Sequence, residues 1–122
     1  MSASPPASTE ADSEHAMAQT HIAMPATAAK GEIIKIKVLI RHVMETGHRR
    51  DREGQVIGRE LINHFAVTYG GSVIFRAELH PGMAANPFFA FSTRARESGD
   101  LVFEWQGDNG FQALETRRLV VT

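Results

Sequence analysis

The sequence predicts an all-β domain in which two antiparallel sheets pack face to face. Apolar and polar residues alternate with a period of two in several short runs, turns rich in glycine, asparagine and aspartate separate these runs, and no long segment shows a helical period. Short strands at this spacing favour a small β-sandwich of immunoglobulin-like type with about six to seven strands.

The first strong strand covers residues 32–41. Its apolar row consists of Ile34, Ile36, Val38 and Ile40. Lysine or arginine fills most of the alternate positions, so we expect a half-buried strand with its β-branched row facing the core. A short edge strand at residues 21–25 would raise the number of strands from six to seven.

Five further segments continue the period-two pattern, at residues 61–69, 72–79, 88–93, 101–106 and 111–122. The Gly70-Gly71 pair predicts a hairpin between the first two of them. In the third strand of the chain, residues 72–79, the apolar row that we expect to be buried consists of Val73, Phe75, Ala77 and Leu79.

The C-terminal strands contribute the single tryptophan and an irregularity. Trp105 lies on the inward row of residues 101–106, so we expect it in the core. In residues 111–122 the alternation slips near Thr116, which predicts a β-bulge there.

Composition limits the classes of function. The formal net charge is -1, which gives no strong field for nucleic acid or for an anionic membrane. No apolar run has the length that spans a bilayer. Cysteine is absent, which excludes a disulfide scaffold, a thiolate metal site and a cysteine nucleophile on this chain.

The N-terminal part differs in kind from the rest. Residues 1–29 contain no lysine, arginine or aromatic residue, and alanine, serine, threonine and proline dominate. Such a composition predicts a flexible extension before a folded domain at residues 30–122. Within it, residues 1–16 are expected to be dispensable, and they have neither the basic start nor the apolar middle of a secretory signal.

A polar loop lies between the first two strong strands, where four residues allow a metal interpretation. The order His42, Glu45 and His48, followed by His64, supplies imidazole and carboxylate ligands, but the spacing matches no standard zinc motif. We therefore interpret these side chains as polar loop residues, and a metal enzyme stays open as an alternative. No serine occupies a nucleophile elbow, so we predict no catalytic residue.

The centre of this loop, residues 44–55, is expected to be a β-ribbon closed by a turn at Asp51 to Gly54, with Gly54 at positive φ. Asp51 and Glu53 offer too few oxygen ligands for a calcium loop. Three arginines surround the turn, which is expected to be a solvated hairpin tip that could also dock a protein partner. They are Arg49, Arg50 and Arg52.

Three runs resemble the SoxZ family, the subunits of sulfur-oxidation carrier complexes. They are GEIIKIKVLIRHVMETGHRRDREGQVIGRELINHF from Gly31, NPFFAF from Asn86 and FEWQGDNG from Phe103. The resemblance covers nearly the whole chain after residue 30, and one departure is Gly58, where the family pattern leads us to expect proline.

The resemblance implies an immunoglobulin-like sandwich that pairs with a SoxY-like subunit. That partner carries sulfur intermediates of thiosulfate oxidation on a cysteine of its flexible C-terminal arm. The SoxZ subunit itself is implied to be non-catalytic and to need no cofactor. The complex is implied to be periplasmic, to be exported on the partner's signal, and to dock transiently with other sulfur-oxidation enzymes.

We expect the partner contact to use apolar residues that point away from the core rows. The candidates are Ile33, Leu39, Ile74, Phe88 and Val102. Arg49, Arg50 and Arg52 are the docking-loop candidates, and they could offer positive charge to an anionic thiosulfonate on the partner's arm. The alternative is a ribbon that is merely solvated. The alternative from another class is a free-standing immunoglobulin-like binding or adhesion module, which would be a stable monomer.

Overall fold

The computed structural model describes residues 19–42, 44–80 and 85–122. Over these ranges the chain forms eight strands and one short 3-10 turn, Asp108–Gly110. The strands are β1 (Thr20–Ala23), β2 (Thr27–Ala28), β3 (Ile33–Ile40), β4 (Ile62–Tyr69), β5 (Ser72–Glu78), β6 (Phe88–Arg94), β7 (Gly99–Gly107) and β8 (Gln112–Val121). None of the described residues belongs to a helix long and apolar enough to cross a membrane.

The strands form two sheets, which confirms the predicted sandwich. One sheet has three strands in the order β1-β3-β6, and the other has five in the order β2-β8-β7-β4-β5. All pairs are antiparallel except the two-residue contact of β2 with β8, which is parallel. The predicted edge strand is β1, and β2 is the strand that the sequence did not predict.

Two N-terminal strands lie before residue 30, where the sequence predicts the folded domain to begin. β1 pairs with β3 from Thr20 to Ala23, and Thr27 and Ala28 pair with the end of β8. These backbone hydrogen bonds and the packing of Ile22 against the core order a segment whose composition alone predicts flexibility. Residues 1–18, and with them the predicted dispensable stretch, lie outside the described residues.

The core lies between the sheets and contains the predicted inward rows of β3, β4 and β7. Trp105 is 0% exposed and packs against Phe65 with 5.0 Å between the ring centroids. Phe65 in turn stacks on Phe89 of the opposite sheet at 4.9 Å. Full burial of a side chain of this size contributes roughly 1.5–3 kcal/mol, so this aromatic contact is a main link between the sheets.

The predicted inward row of β5 is wrong at its first residue. Val73 is 49% exposed, because the register of β4 against β5 shifts between Val67 and Thr68. The shift places Val73 opposite Thr68 and leaves Phe75 opposite Val67, so Phe75 is the first residue of the predicted row that faces inward.

The predicted bulge near Thr116 is also absent. β8 keeps one regular register along β7, from Leu119 opposite Gly99 to Gln112 opposite Gln106. The apparent slip arises because Leu114 points outward and is 58% exposed, while Glu115 and Arg117 lie on the partly buried side as an ion pair at 3.0 Å.

Tyr69 fixes the turn between β6 and β7. Its ring is buried, and its hydroxyl donates to the carbonyl oxygen of Glu97 at 2.6 Å. The same hydroxyl oxygen accepts from the backbone N–H groups of Arg96 at 3.0 Å and Glu97 at 3.2 Å. A turn held from inside the core in this way aligns the two sheets at that end of the sandwich.

Candidate interaction surfaces

The polar loop is a β-ribbon, as predicted. We call residues 45–60 the polar ribbon. Its two arms meet in antiparallel bridges between Glu45 and Glu60 and between Arg50 and Val56. Backbone hydrogen bonds from Ile57 to Arg49 at 2.8 Å and from Glu60 to Glu45 at 2.7 Å hold the arms together. The ribbon thus has a defined backbone although most of its side chains are exposed.

The tip of the polar ribbon is the predicted turn. The Asp51 carboxylate accepts from the backbone N–H of Glu53 at 3.0 Å and of Gln55 at 2.9 Å. Gly54 adopts a φ of 83° and donates its N–H to the Asp51 carbonyl oxygen at 3.0 Å. The carboxylate therefore stabilises the turn itself, an Asx-type role.

The three arginines of the ribbon have different surroundings. Arg49 forms a hydrogen-bonded ion pair with Glu45. The hydrogen bond lowers the pKa of the Glu45 carboxyl and raises the pKa of the Arg49 guanidinium. Arg50 donates to the carbonyl oxygen of Gly54 at 2.7 Å. Arg52 is exposed and makes no hydrogen bond or ion pair with the residues that the structure describes. Of the three, Arg52 has the guanidinium most available to an incoming anion.

Met44 fixes the start of the ribbon. Its side chain is 5% exposed, and its sulfur accepts from the backbone N–H of Ile62 at 3.4 Å. Its φ of 57° is uncommon for a residue other than glycine. A buried side chain at such a backbone angle shows that packing determines where the ribbon leaves the sandwich.

The turn between β7 and β8 fixes the other arm. Asp108 accepts from the Arg59 side chain and from the Leu61 backbone N–H, both at 2.9 Å. Asn109 donates its side-chain N–H to the Arg59 carbonyl oxygen at 3.0 Å. The hydrogen bond from Arg59 is the main reason that the pKa of the Asp108 carboxyl is lowered.

Gly107 allows this turn to approach the ribbon. A Cβ atom at this position would contact the Leu61 carbonyl oxygen far inside van der Waals distance and lie 3.0 Å from the Ile62 Cα. The FEWQGDNG run thus has a structural function that the sequence did not predict. A signal was present in its closely spaced Gly, Asp and Asn, but the contact partners lie more than 40 residues earlier in the chain, as with Leu61 at a separation of 47 from Asp108.

His42 lies at the base of the ribbon. Its ring packs edge-on against Phe111 with 5.0 Å between centroids, and Nδ1 accepts from the Met44 backbone N–H at 3.0 Å. Its backbone N–H donates to the Asn86 side-chain oxygen at 2.8 Å, and its carbonyl oxygen accepts from the Asn86 N–H at 2.7 Å. Burial lowers the pKa of His42, and the carboxylates of Glu60 and Asp108 offset part of that effect.

The four residues of the metal interpretation have separate partners. His42 is engaged at the ribbon base, Glu45 pairs with Arg49, and His64 pairs with Glu78 on the β4–β5 hairpin at 3.1 Å. His48 is exposed on the ribbon. Among residues 19–42, 44–80 and 85–122, no group of three or more histidine or acidic side chains could hold a metal ion.

The five predicted partner-contact residues divide between two faces and the core. Ile33, Leu39 and Phe88 share the outer face of the three-stranded sheet, where Leu39 and Phe88 are direct cross-strand neighbours. Val102 lies on the outer face of the other sheet, and Ile74 packs partly against the core. The structure thus places three of the five on one face, and two of these three are in direct contact across the strands.

The outer face of the three-stranded sheet is also basic. We call the outward residues of β1, β3 and β6 the basic face. Its exposed cations are Lys35, Lys37 and Arg94, and the three strands contain no acidic residue. None of these cations forms an ion pair with a described residue, although Arg94 donates to the Gly31 carbonyl oxygen at 2.6 Å. The sequence showed the lysine alternation, but not that all three cations share one face.

A groove of about 470 Å³ lies at the end of the basic face where Leu39 meets Phe88. Its lining combines these apolar side chains with Lys37 and His21 from the same face. Arg117 of β8 also lines it. The groove therefore combines apolar and cationic side chains.

Comparison with protein families gives a match over most of the chain. Residues 22–117 match the model of the family described as Sulphur oxidation protein SoxZ. The comparison with curated protein sequences found no match.

Solved structures share the fold at low sequence identity. A superoxide reductase (neelaredoxin) from Ignicoccus hospitalis superposes with a TM-score of 0.66 at 15% identity, covering 93% of this chain and 89% of that one. The sulfur carrier protein SoxY from Chlorobium limicola f. thiosulfatophilum superposes with a TM-score of 0.61 at 15% identity, covering 84% of this chain and 78% of that one. Identities at this level show the sandwich fold alone.

Proposed function

The chain belongs to the SoxZ family of sulfur-oxidation proteins, and from this premise we propose that it is the non-catalytic subunit of a sulfur-carrier complex. In this proposal it pairs with a SoxY-like subunit whose cysteine carries the sulfur intermediates of thiosulfate oxidation. The family match over residues 22–117 is the observation that carries the proposal. The predicted periplasmic location and the export of both subunits as one complex belong to the same proposal.

The composition of the chain supports this division of labour. Covalent sulfur transfer through a thiol needs a cysteine, and this chain has none. The sulfur must then be carried by a second protein, and the present chain would hold that protein and shape the surface that the processing enzymes meet.

The surface of the sandwich supports pairing with another protein. Leu39 and Phe88 form an exposed apolar pair beside a groove, and Phe88 is 54% exposed. Burying such side chains against a partner stabilises a complex, since apolar contact at the centre of an interface contributes most of the binding energy.

The polar ribbon supports a second contact. Its arms are fixed by hydrogen bonds at both ends, yet its side chains are mostly exposed. A rigid, solvent-exposed element contributes little to the core and is suited to transient docking, because little flexibility is lost on binding. We place the docking of sulfur-processing enzymes on this ribbon.

Co-expression tests the proposal. The full chain, with an affinity tag, is expressed together with a cysteine-tailed SoxY-like protein encoded beside it and purified at about physiological ionic strength. Co-elution in a 1:1 ratio is expected. A chain that elutes alone as a stable monomer would contradict the proposal and favour the free-standing binding module.

A further inference from the structure

We propose that the partner docks on the basic face and presents to it an apolar centre flanked by acidic side chains. This inference rests on the proposed function and adds to it the place and the chemistry of the contact. Three features of the basic face carry it: its apolar centre, its uncompensated charge and its position beside the polar ribbon.

The apolar centre is the cross-strand pair of Leu39 and Phe88. Both side chains line the groove, and Leu39 is half-buried whereas Phe88 is exposed. A partner side chain that enters the groove would contact both and cover the exposed part of the Phe88 ring. Desolvated aromatic side chains of this kind are typical centres of binding energy.

The charge of the face determines the kind of partner. Lys35, Lys37 and Arg94 form no ion pair with described residues, and β1, β3 and β6 offer no carboxylate to compensate them. A second copy docked face to face would bring like charges together at a cost of several kcal/mol. A partner with carboxylates around an apolar patch would instead meet complementary charge, which favours a different protein over self-association.

The outer face of the five-stranded sheet lacks this pattern. It also exposes a large apolar residue, Leu114, but its charges are mixed. Arg118 pairs with Asp100 at 3.4 Å on this face, and His64 pairs with Glu78. Because this face carries both cations and carboxylates rather than cations alone, it gives a matched control.

The dimensions of the basic face indicate how far the contact extends. Eight residues of β3 span about 26 Å, and three strands span about 15 Å, so the flat area is roughly 400 Å². A standard interface buries about 800 Å² on each partner, so the contact must continue beyond the sheet. At the Leu39–Phe88 end the adjoining segment is Asn86, which is hydrogen-bonded to His42 at the ribbon base. We therefore expect the partner to cover both the face and the base of the polar ribbon.

The experiment compares two pairs of variants in the full chain. Phe88→Ser removes the apolar centre, and Leu114→Ser is its control at 58% exposure on the other sheet. The double variant Lys35→Glu/Lys37→Glu reverses the charge of the face, and Arg76→Glu/Arg118→Glu makes the same net change on the opposite face. Binding of each to the purified SoxY-like partner is measured at about 0.05 M and about 0.3 M salt, and thermal melting checks that each variant is folded.

We expect Phe88→Ser to bind at least about 10-fold more weakly, as for a central contact. The lysine double variant should associate about 10-fold more slowly at low salt, with a smaller difference at high salt. Both controls should bind within about 2-fold of the unsubstituted chain.

Two results would overturn the inference while leaving the proposed function intact. In the first, the wild-type chain and both basic-face variants bind the partner equally well, whereas the control variants bind it more weakly. That result would place the contact on the five-stranded sheet. In the second, the wild-type chain binds DNA or anionic vesicles and the lysine double variant does not, while both bind the partner equally well. Failure of the wild-type chain to bind the partner would instead reject the proposed function.

Discussion

Substitution of Gly107 by alanine tests how the polar ribbon is fixed to the sandwich. Gly107 has an extended backbone, with φ -158° and ψ -166°, which any residue can adopt. Glycine is required there only because a Cβ would contact the backbone of Leu61 and Ile62. Backbone cannot rotate away as a side-chain end can, so the turn must move.

The size of the effect follows from the contacts that the movement disrupts. Overpacking costs about 1–3 kcal/mol. Movement also weakens the hydrogen bonds between Asp108 and Leu61, at 2.8 and 2.9 Å, which contribute about 1 kcal/mol each. We expect Gly107→Ala to lower the free energy of unfolding by about 3 kcal/mol and the melting temperature by about 10 °C or more.

Gly58→Ala is the matched control. Its Cβ would meet no atom within 4 Å, and its φ lies outside the range that only glycine favours. Alanine there should leave stability unchanged or raise it by up to about 1 kcal/mol, because it restricts the unfolded chain. Urea denaturation of both variants measures the difference. A Gly107→Ala protein within about 0.5 kcal/mol of the wild type would refute the close-approach argument.

Three further predictions concern the ribbon. Burial lowers the pKa of His42 in the folded state, so as the pH falls the unfolded chain binds a proton at this residue before the folded protein does. The free energy of unfolding should therefore decrease as the pH falls below about 6.5, and then level off once the folded protein is protonated as well. Urea denaturation midpoints measured between about pH 8 and about pH 5 check this. A His42→Asn variant whose midpoint changes with pH as steeply as that of the wild type would contradict it. Asp108→Asn should lower the free energy of unfolding by about 1–2 kcal/mol near neutral pH, because it weakens the charge-assisted hydrogen bond from the Arg59 side chain. The same substitution made in an Arg59→Gln protein should cost less. An equal loss in that protein would argue against the pairing. Replacing Arg49, Arg50 and Arg52 together by alanine should leave folding intact and slow thiosulfate-dependent turnover about 3- to 10-fold at low salt, and unchanged kinetics would reject anion steering.

The alternation of β3 shows where sequence reasoning succeeds. Its β-branched row and its lysines fix one face inward and one outward, and the structure agrees at Ile34, Ile36, Val38 and Ile40. The same reasoning fails at Val73, because a register shift depends on the neighbouring strand rather than on the strand itself. It fails again in β8, where an inward ion pair resembles an interruption of the pattern.

The ribbon shows the same limit for the candidate surface. Its tip could be predicted because the turn formed by Asp51 and Gly54 is local. Its base could not, because Asp108 binds Leu61 and Asn86 binds His42 across long separations in sequence. The basic face likewise could not be predicted from the sequence, because it depends on the sheet order that places β3 between β1 and β6.

Native mass spectrometry of the co-expressed complex tests the central claim most directly. The proposed function predicts one dominant species whose mass is the sum of this 13.4 kDa chain and one SoxY-like subunit. After loading with thiosulfate by the cognate enzymes, dissociation in the gas phase should place the sulfur adduct on the partner and leave this chain at its own mass. A spectrum of separate subunits, or an adduct on this chain, would contradict the account.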